Sequence, residues 1–209
     1  MDEARTLAEL PLFPLNTVLF PGGQLSLKVF EARYLDLMGR CLRSAEPFGV
    51  VALRQGTEVG TQVPGQEMEP VGVLARIDDV DAEQPGILLV RCSGGRRFRT
   101  LEPPVQRSDG LWLASVTLLP EDPAQPPEPA MAAAVQALLR LGENLESRAL
   151  ARPWSEPAQF DDAAWVSNRW CELLPVPVGT RQKLMELEDA PARLRLVDGF
   201  LRSRGVIKD

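Results

Sequence analysis

Histidine is absent from all 209 residues of this chain. That removes the commonest general base, the side chain that titrates nearest neutral pH, and the usual zinc ligand. Lysine is almost absent too, standing only at positions 28, 183 and 208. No Gly-Lys dipeptide occurs, so a G-x-x-x-x-G-K-[ST] phosphate loop, and nucleotide hydrolysis by that route, is excluded. A Ser-Lys dyad needs a desolvated lysine beside an activated serine. Here Lys28 falls on the polar face of an expected strand, Lys183 in an Arg-Gln-Lys helix surface and Lys208 at the terminus. The three cysteines, Cys41, Cys92 and Cys171, are isolated and form no C-x-x-C pair. They read as reduced core thiols of a cytosolic protein. No window approaches the roughly 18 apolar residues of a spanning helix, and the acidic start MDEARTLAEL is no signal peptide. These absences predict a cytoplasmic chain with no catalytic residue, no metal, no cofactor and no membrane partner.

Positive charge is in deficit as well. The net charge of -6 and a pI near 4.9 oppose a general affinity for phosphate backbones. The one concentrated basic cluster is Arg91, Arg96, Arg97 and Arg99. It reads either as a solvated turn and strand face or as a contact for an anion or acidic peptide. Acids gather at Asp78, Asp79, Asp81 and Glu83, and at Asp161-Asp162. The first group approaches a hairpin turn and the second a helix start, where solvated carboxylates normally sit. The first also lacks the glycine and distal glutamate of a calcium loop.

What is present divides the chain in two. Up to about Pro120, short apolar runs alternate with turn signals. Pro11 and Pro14 lack an amide donor, so they are expected at a sheet edge or strand start, never in a central strand. Pro21-Gly22-Gly23 reads as a turn. Leu25, Leu27 and Val29 then alternate with Gln24, Ser26 and Lys28, the period of a half-buried strand. Phe30, Tyr34, Leu37, Met38, Cys41 and Leu42 make one stripe at helical period, with Glu31 in the first turn where it suits the dipole. Further strands are expected at Val50–Arg54, Val71–Val80 and Ile87–Cys92. Between them lie a loop over Gln55–Pro70 and a turn at Gln84-Pro85-Gly86. Ser93-Gly94-Gly95 is expected to end the third of these runs, Phe98–Leu101 to begin another, and Leu111–Leu119 to be the last.

PEDPAQPPEP, Pro120–Pro129, holds five prolines in ten residues and reads as a semi-rigid linker. Four helices are expected beyond it. The first carries Met131, Val135, Leu138, Leu139 and Leu145; the second, capped by Asp161 or Asp162, carries Trp165, Val166, Trp170, Leu173 and Leu174. Pro175 and Pro177 stop the second, Thr180 caps a third, and Asp189 followed by Pro191 starts a fourth. Trp154, Trp165 and Trp170 read as core rather than as a peptide groove.

LPLFPL, LFPG and FE-x-RY occur in this order over Leu10–Tyr34, and the stretch resembles the Lon N-terminal domain, the substrate-recruiting module of ATP-dependent Lon proteases. Gly94-Gly95-Arg96-Arg97-Phe98 is similar to a G-x-R-F element of that family. ELLP followed by Arg-Gln-Lys-Leu-Met-Glu, Glu172–Glu186, is similar to a stretch in its stand-alone bacterial members. The resemblance implies an α+β fold: a PUA-like small β-barrel with one inserted helix over residues 1–120, a linker over 121–129 and a four-helix bundle over 130–209. It implies a non-catalytic module that binds unfolded or degron-bearing polypeptides, an adaptor in protein quality control with a separate protease or chaperone as partner. The alternative is a PUA-like RNA-binding module, which the net charge opposes. Arg33, Tyr34, Arg96, Arg97 and Arg99 are the candidate peptide or partner contacts. Pro11, Pro14, Pro21, Gly22, Phe30 and Glu31 are the family-motif residues expected to serve structure.

Overall fold

Leu12 marks the point at which the first strand changes partners. The computed structural model describes residues 5–58 and 65–208, so part of the expected loop over Gln55–Pro70 lies outside the described residues. Strands β1 (Thr6–Leu15), β2 (Gln24–Val29), β3 (Phe48–Gln55) and β4 (Glu67–Met68) come first, with helix α1 (Ala32–Ser44) between β2 and β3. Then follow β5 (Val71–Gln84), β6 (Ile87–Thr100), β7 (Val105–Gln106) and β8 (Trp112–Leu118). β1 pairs antiparallel with β8 from Thr6 to Leu12, and parallel with β3 from Leu12 to Leu15.

β1 is therefore an interior strand, which corrects the expectation that Pro11 and Pro14 mark an edge or a strand start. The rule behind that expectation still operates residue by residue. Pro11 lies opposite Leu113 of β8, before the β3 ladder begins. Pro14 lies opposite Val51 of β3, after the β8 ladder has ended. Each proline thus sits where one flank of the strand carries no ladder, and its missing N–H leaves no partner orphaned.

The sheet order is β2-β6-β5-β3-β1-β8-β7, and β6 also pairs with β8. The ladders β1–β3–β5–β6–β8 therefore run in a circuit back to β1, while β2, β4 and β7 each attach to one neighbour. Val71, Val73 and Ala75 of β5 are buried. Around them Leu12, Val51, Phe98 and Val116 are almost wholly removed from water, each contributing about 1.5–3 kcal/mol.

Ser93-Gly94-Gly95 does not end a strand, contrary to expectation: β6 runs through it without a break. Gly94 is there because two backbones meet. Its N–H donates to Gly23 O and its carbonyl accepts from Gly22 N, both at 2.8 Å. The turn before β2 forms as predicted, with Gly23 N donating to Phe20 O at 2.9 Å and Gly22 at φ +70°. That conformation is open to glycine at little cost. The two-residue turn Pro85-Gly86 joins β5 to β6.

In α1 the buried residues are Arg33, Tyr34, Leu37, Met38 and Cys41. Phe30 and Leu42, at the ends of the predicted stripe, are instead exposed, Phe30 preceding the helix altogether. Cys41, Cys92 and Cys171 are buried and free.

The chain divides into two compact units, Met1–Glu121 and Asp122–Asp209. In the second, a 3-10 turn at Pro129–Met131 leads into α2 (Ala132–Ser147), followed by α3 (Ala163–Leu173), α4 (Val178–Glu186) and α5 (Ala190–Ser203). Asp162 caps α3 through Ala164 N and Trp165 N, and Asp189 caps α5 through Ala192 N, each worth about 1 kcal/mol. Thr180 does not cap: α4 opens at Val178 with Pro177 as its N-cap, and Thr180 N already donates to Pro177 O. Proline's fixed φ lets the helix open three residues sooner than the hydroxyl suggested.

Trp154 and Trp170 are buried, and the Trp170 Nε1 donates to Ala134 O at 3.1 Å. Trp154, Phe160 and Trp165 meet edge to face with centroids 5.1–6.3 Å apart. Trp154 and Trp170 are core, and Phe160 and Trp165 are half-buried against Trp154. The proline-rich segment is held to this unit: Ala163 N donates to Gln125 O at 2.8 Å, Glu128 pairs with Arg195, and Asp122 pairs with buried Arg193.

Candidate functional site

β2 pairs with β6 alone among the described strands, so one of its edges carries no ladder from any of them. A groove of about 310 Å³ lies along it. Leu25, Leu27 and Val29 turn toward the interior on one side of β2, with Gln24, Ser26 and Lys28 in solvent. The apolar side is met by Phe13 and Leu15 from β1 and by Tyr34 from α1, which line the groove with the residues of β2 and Phe30.

The floor is an aromatic stack. Phe13 and Tyr34 lie 4.0 Å apart between ring centroids at 21°, and the Arg33 guanidinium sits 4.5 Å from the centre of the Tyr34 ring. Arg33 pairs with Glu31 at 3.0 Å and donates to Gly110 O at 2.9 Å. It therefore ties the start of α1 to the turn before β8. Burial, opposed by Arg33 and reinforced by Glu31, pushes the Tyr34 phenol up to about 12. The ring thus stays neutral across physiological pH, as suits an apolar floor. At the end of the groove Phe30 is 49% exposed, an aromatic ring presented to solvent beside an open strand edge.

The expected site residues separate into two places. Phe30, Glu31 and Tyr34 line this groove and Arg33 braces it from behind. Arg33 and Tyr34 are themselves almost wholly buried, so they set its shape rather than project from it. Pro14 is buried in β1, and Pro21 and Gly22 form the turn that delivers β2. Arg96, Arg97 and Arg99 lie elsewhere, in the last third of β6. Arg97 is 3% exposed and donates to Pro120 O, while Arg96 donates to Leu119 O at 3.1 Å and faces Glu121. These two arginines secure the end of the first unit. Arg91 pairs with Asp79, and Ser93 Oγ donates to Asp78 at 2.9 Å. No strand face presents all four arginines, and among the described residues no group of acids, thiols or histidines can hold a metal.

Nothing in the sequence signals that Phe13 and Leu15 line a groove, and Leu25 stands out only as an apolar position of a half-buried strand. Phe13 lies within LPLFPL, where an apolar run gives no sign of which ring will be reached by solvent. The Arg33–Gly110 contact spans 77 positions, and no local pattern reports it.

Residues 9–203 match the family model of the ATP-dependent protease La (LON) substrate-binding domain. The chain belongs to the LON substrate-binding domain family. Among solved structures, a Lon N-terminal domain protein from Xanthomonas campestris is 32% identical. It superposes with a TM-score of 0.71 over 91% of this chain and 97% of that one. The N-terminal domain of the Mycobacterium avium complex Lon protease shares the fold at 16% identity, with a TM-score of 0.59 over 92% of this chain and 96% of that one. Lon protease 2 of Herpetosiphon aurantiacus is 26% identical over 201 residues, 92% of this chain and 23% of that protein. This LON-family chain therefore spans about a quarter of the length of the curated relative it matches. Its mixed α/β fold is that of Lon N-terminal domains, and no helix among the described residues is long and apolar enough to cross a membrane.

Proposed function

We propose that this LON-family chain is a non-catalytic polypeptide-recognition module that takes unfolded or degron-bearing segments along the free edge of β2. One observation carries the reading: a strand edge with no ladder partner among the described strands runs beside a groove floored by the Phe13–Tyr34 stack and ended by exposed Phe30. An extended segment added to such an edge gains main-chain hydrogen bonds whatever its sequence, and alternate side chains find the apolar floor. That tolerance is what a recruiter of unfolded chains requires. In this reading the β1–β3–β5–β6–β8 circuit is the small PUA-like barrel of the first domain and α2–α5 the four-helix bundle of the second. The chain serves as an adaptor in the cytoplasm and delivers segments to a separate protease or chaperone. No observation favours the RNA-binding alternative, because Arg97 is buried and Arg91 and Arg96 face carboxylates.

The test uses fluorescein-labelled casein as an unfolded probe, read by anisotropy. The wild-type chain binds it. Leu25→Ser with Phe30→Ser weakens binding about tenfold, the scale of two lost apolar contacts, while circular dichroism is unchanged. A wild-type chain that neither binds casein nor slows aggregation of an unfolded protein overturns the proposal. So does cleavage of peptide or ester substrates by the pure chain.

A further inference from the structure

A second groove in the first unit differs in chemistry. Its volume is about 480 Å³, within the range that encloses several side chains rather than an ion. Two short strands that each attach to one neighbour, β4 and β7, lie beside it. Its walls are apolar: Met68 from β4, Trp112 at the start of β8, and Pro70, Pro103 and Pro104 from the flanking segments. Leu101 on the wall is 54% exposed, and neighbouring Val105 is 68% exposed. The charges around these walls are mostly of one sign. Glu67, Glu69 and Glu102 line the groove against a single cation, Arg54. Arg54 is matched by Glu69, to which its Nε donates at 2.8 Å. Glu67 and Glu102 remain as exposed carboxylates beside an indole and exposed aliphatic groups.

An apolar trough with two solvent-facing carboxylates is complementary to an extended polypeptide that carries an arginine next to an aliphatic residue. The guanidinium can lie against Trp112 while meeting a carboxylate, and the aliphatic side chain covers Leu101 and Met68. We propose that this groove recognises Arg-plus-aliphatic segments of the bound polypeptide, so that the module reads charge at one groove and extended backbone at the other. The inference rests on the polypeptide-recognition reading and adds a class of preferred segment to it. An acidic peptide meets repulsion from Glu67 and Glu102 at the same place.

The probes are two fluorescein-labelled peptides of about ten residues, Gly and Ser throughout except for a central Arg-Leu in one and Glu-Leu in the other. The expected result is tighter binding of the Arg-Leu peptide by about fivefold or more, the scale of one or two rim ion pairs plus a cation–π contact. That preference shrinks as NaCl rises from about 50 to about 500 mM. Glu67→Gln with Glu102→Gln, both exposed and therefore safe for folding, removes the ion-pair share and cuts the preference to about twofold or less, what the cation–π contact alone leaves. Leu25→Ser with Phe30→Ser leaves it in place. Equal binding of the two peptides, binding of neither, or loss of the preference in the β2 variant but not the glutamine variant overturns the inference. Casein anisotropy measured alongside separates the cases, since casein binding that depends on β2 keeps the broader reading intact when this one fails.

Discussion

A Cβ placed on Gly94 would lie 2.2 Å from the carbonyl oxygen of Phe20. That contact is backbone against backbone, and the turn that carries Phe20 is itself bonded to Gly94 through Gly22 and Gly23. Gly95, its neighbour, is different: the nearest atom to an added Cβ is Leu74 O at 3.5 Å, an ordinary contact. Gly94→Ala is therefore expected to destabilise the protein by about 2–3 kcal/mol, the range of overpacking in a closed site. Gly95→Ala should change stability by under about 1 kcal/mol. Urea midpoints of the two variants check this, and equal midpoints would refute it.

Arg33 is the internal brace of the β2 groove. It is buried and held by Glu31 and by Gly110 O. Arg33→Met leaves a half-buried carboxylate and a carbonyl without that partner, which costs about 3 kcal/mol. Arg33→Lys should recover only part, because an ammonium cannot reproduce the forked geometry. The same series measured for casein affinity should follow stability, since Arg33 shapes the groove from behind.

Asp122 and Arg193 fasten the proline-rich segment to the helices. Arg193 is 1% exposed and also donates to Ser167 Oγ at 3.0 Å. Asp122→Ala strands a guanidinium in the interior and is expected to cost about 3–5 kcal/mol. Removing both charges together, with Asp122→Ala and Arg193→Met, should cost less than the single change. A double-mutant cycle in urea gives the answer.

All three thiols are predicted to be inert in the native protein. Burial pushes Cys92 and Cys171 up to about 12 and raises Cys41 as well. The nucleophilic thiolate is therefore scarce at pH 8. Ellman's reagent should find no fast-reacting thiol in folded protein and all three in denaturant. The chain has Cys41, Cys92 and Cys171 and no others, so a single fast equivalent under native conditions would contradict their burial.

What could be read from the sequence was local chemistry with one meaning. Asp162 and Asp189 cap helices because a short carboxylate ahead of an apolar run has little else to do there. Pro21-Gly22 makes its turn for the same reason. Misreadings arose where one residue type answers to two physical demands. Gly94 reads as the end of a strand, yet its missing side chain serves a close approach to Phe20, far earlier in the chain. Pro11 and Pro14 suggest a sheet edge or strand start, yet a strand may lie inside a sheet and still have one flank bare at a given residue. The floor of the groove was hidden for a related reason. Phe13 and Tyr34 meet only after β1 and α1 have packed, and periodicity speaks for one element at a time.

The halfway exchange of neighbours in β1 has a consequence for how the chain reaches its native state. A ten-residue run of apolar character would ordinarily be free to zip along its whole length with any passing strand, including one from another molecule. Two imino acids placed on either side of Leu12 deny it a full-length partner on either flank. Misaligned pairings must therefore stop short, and β1 carries its own safeguard against aggregation while it waits for β3 and β8 to be made.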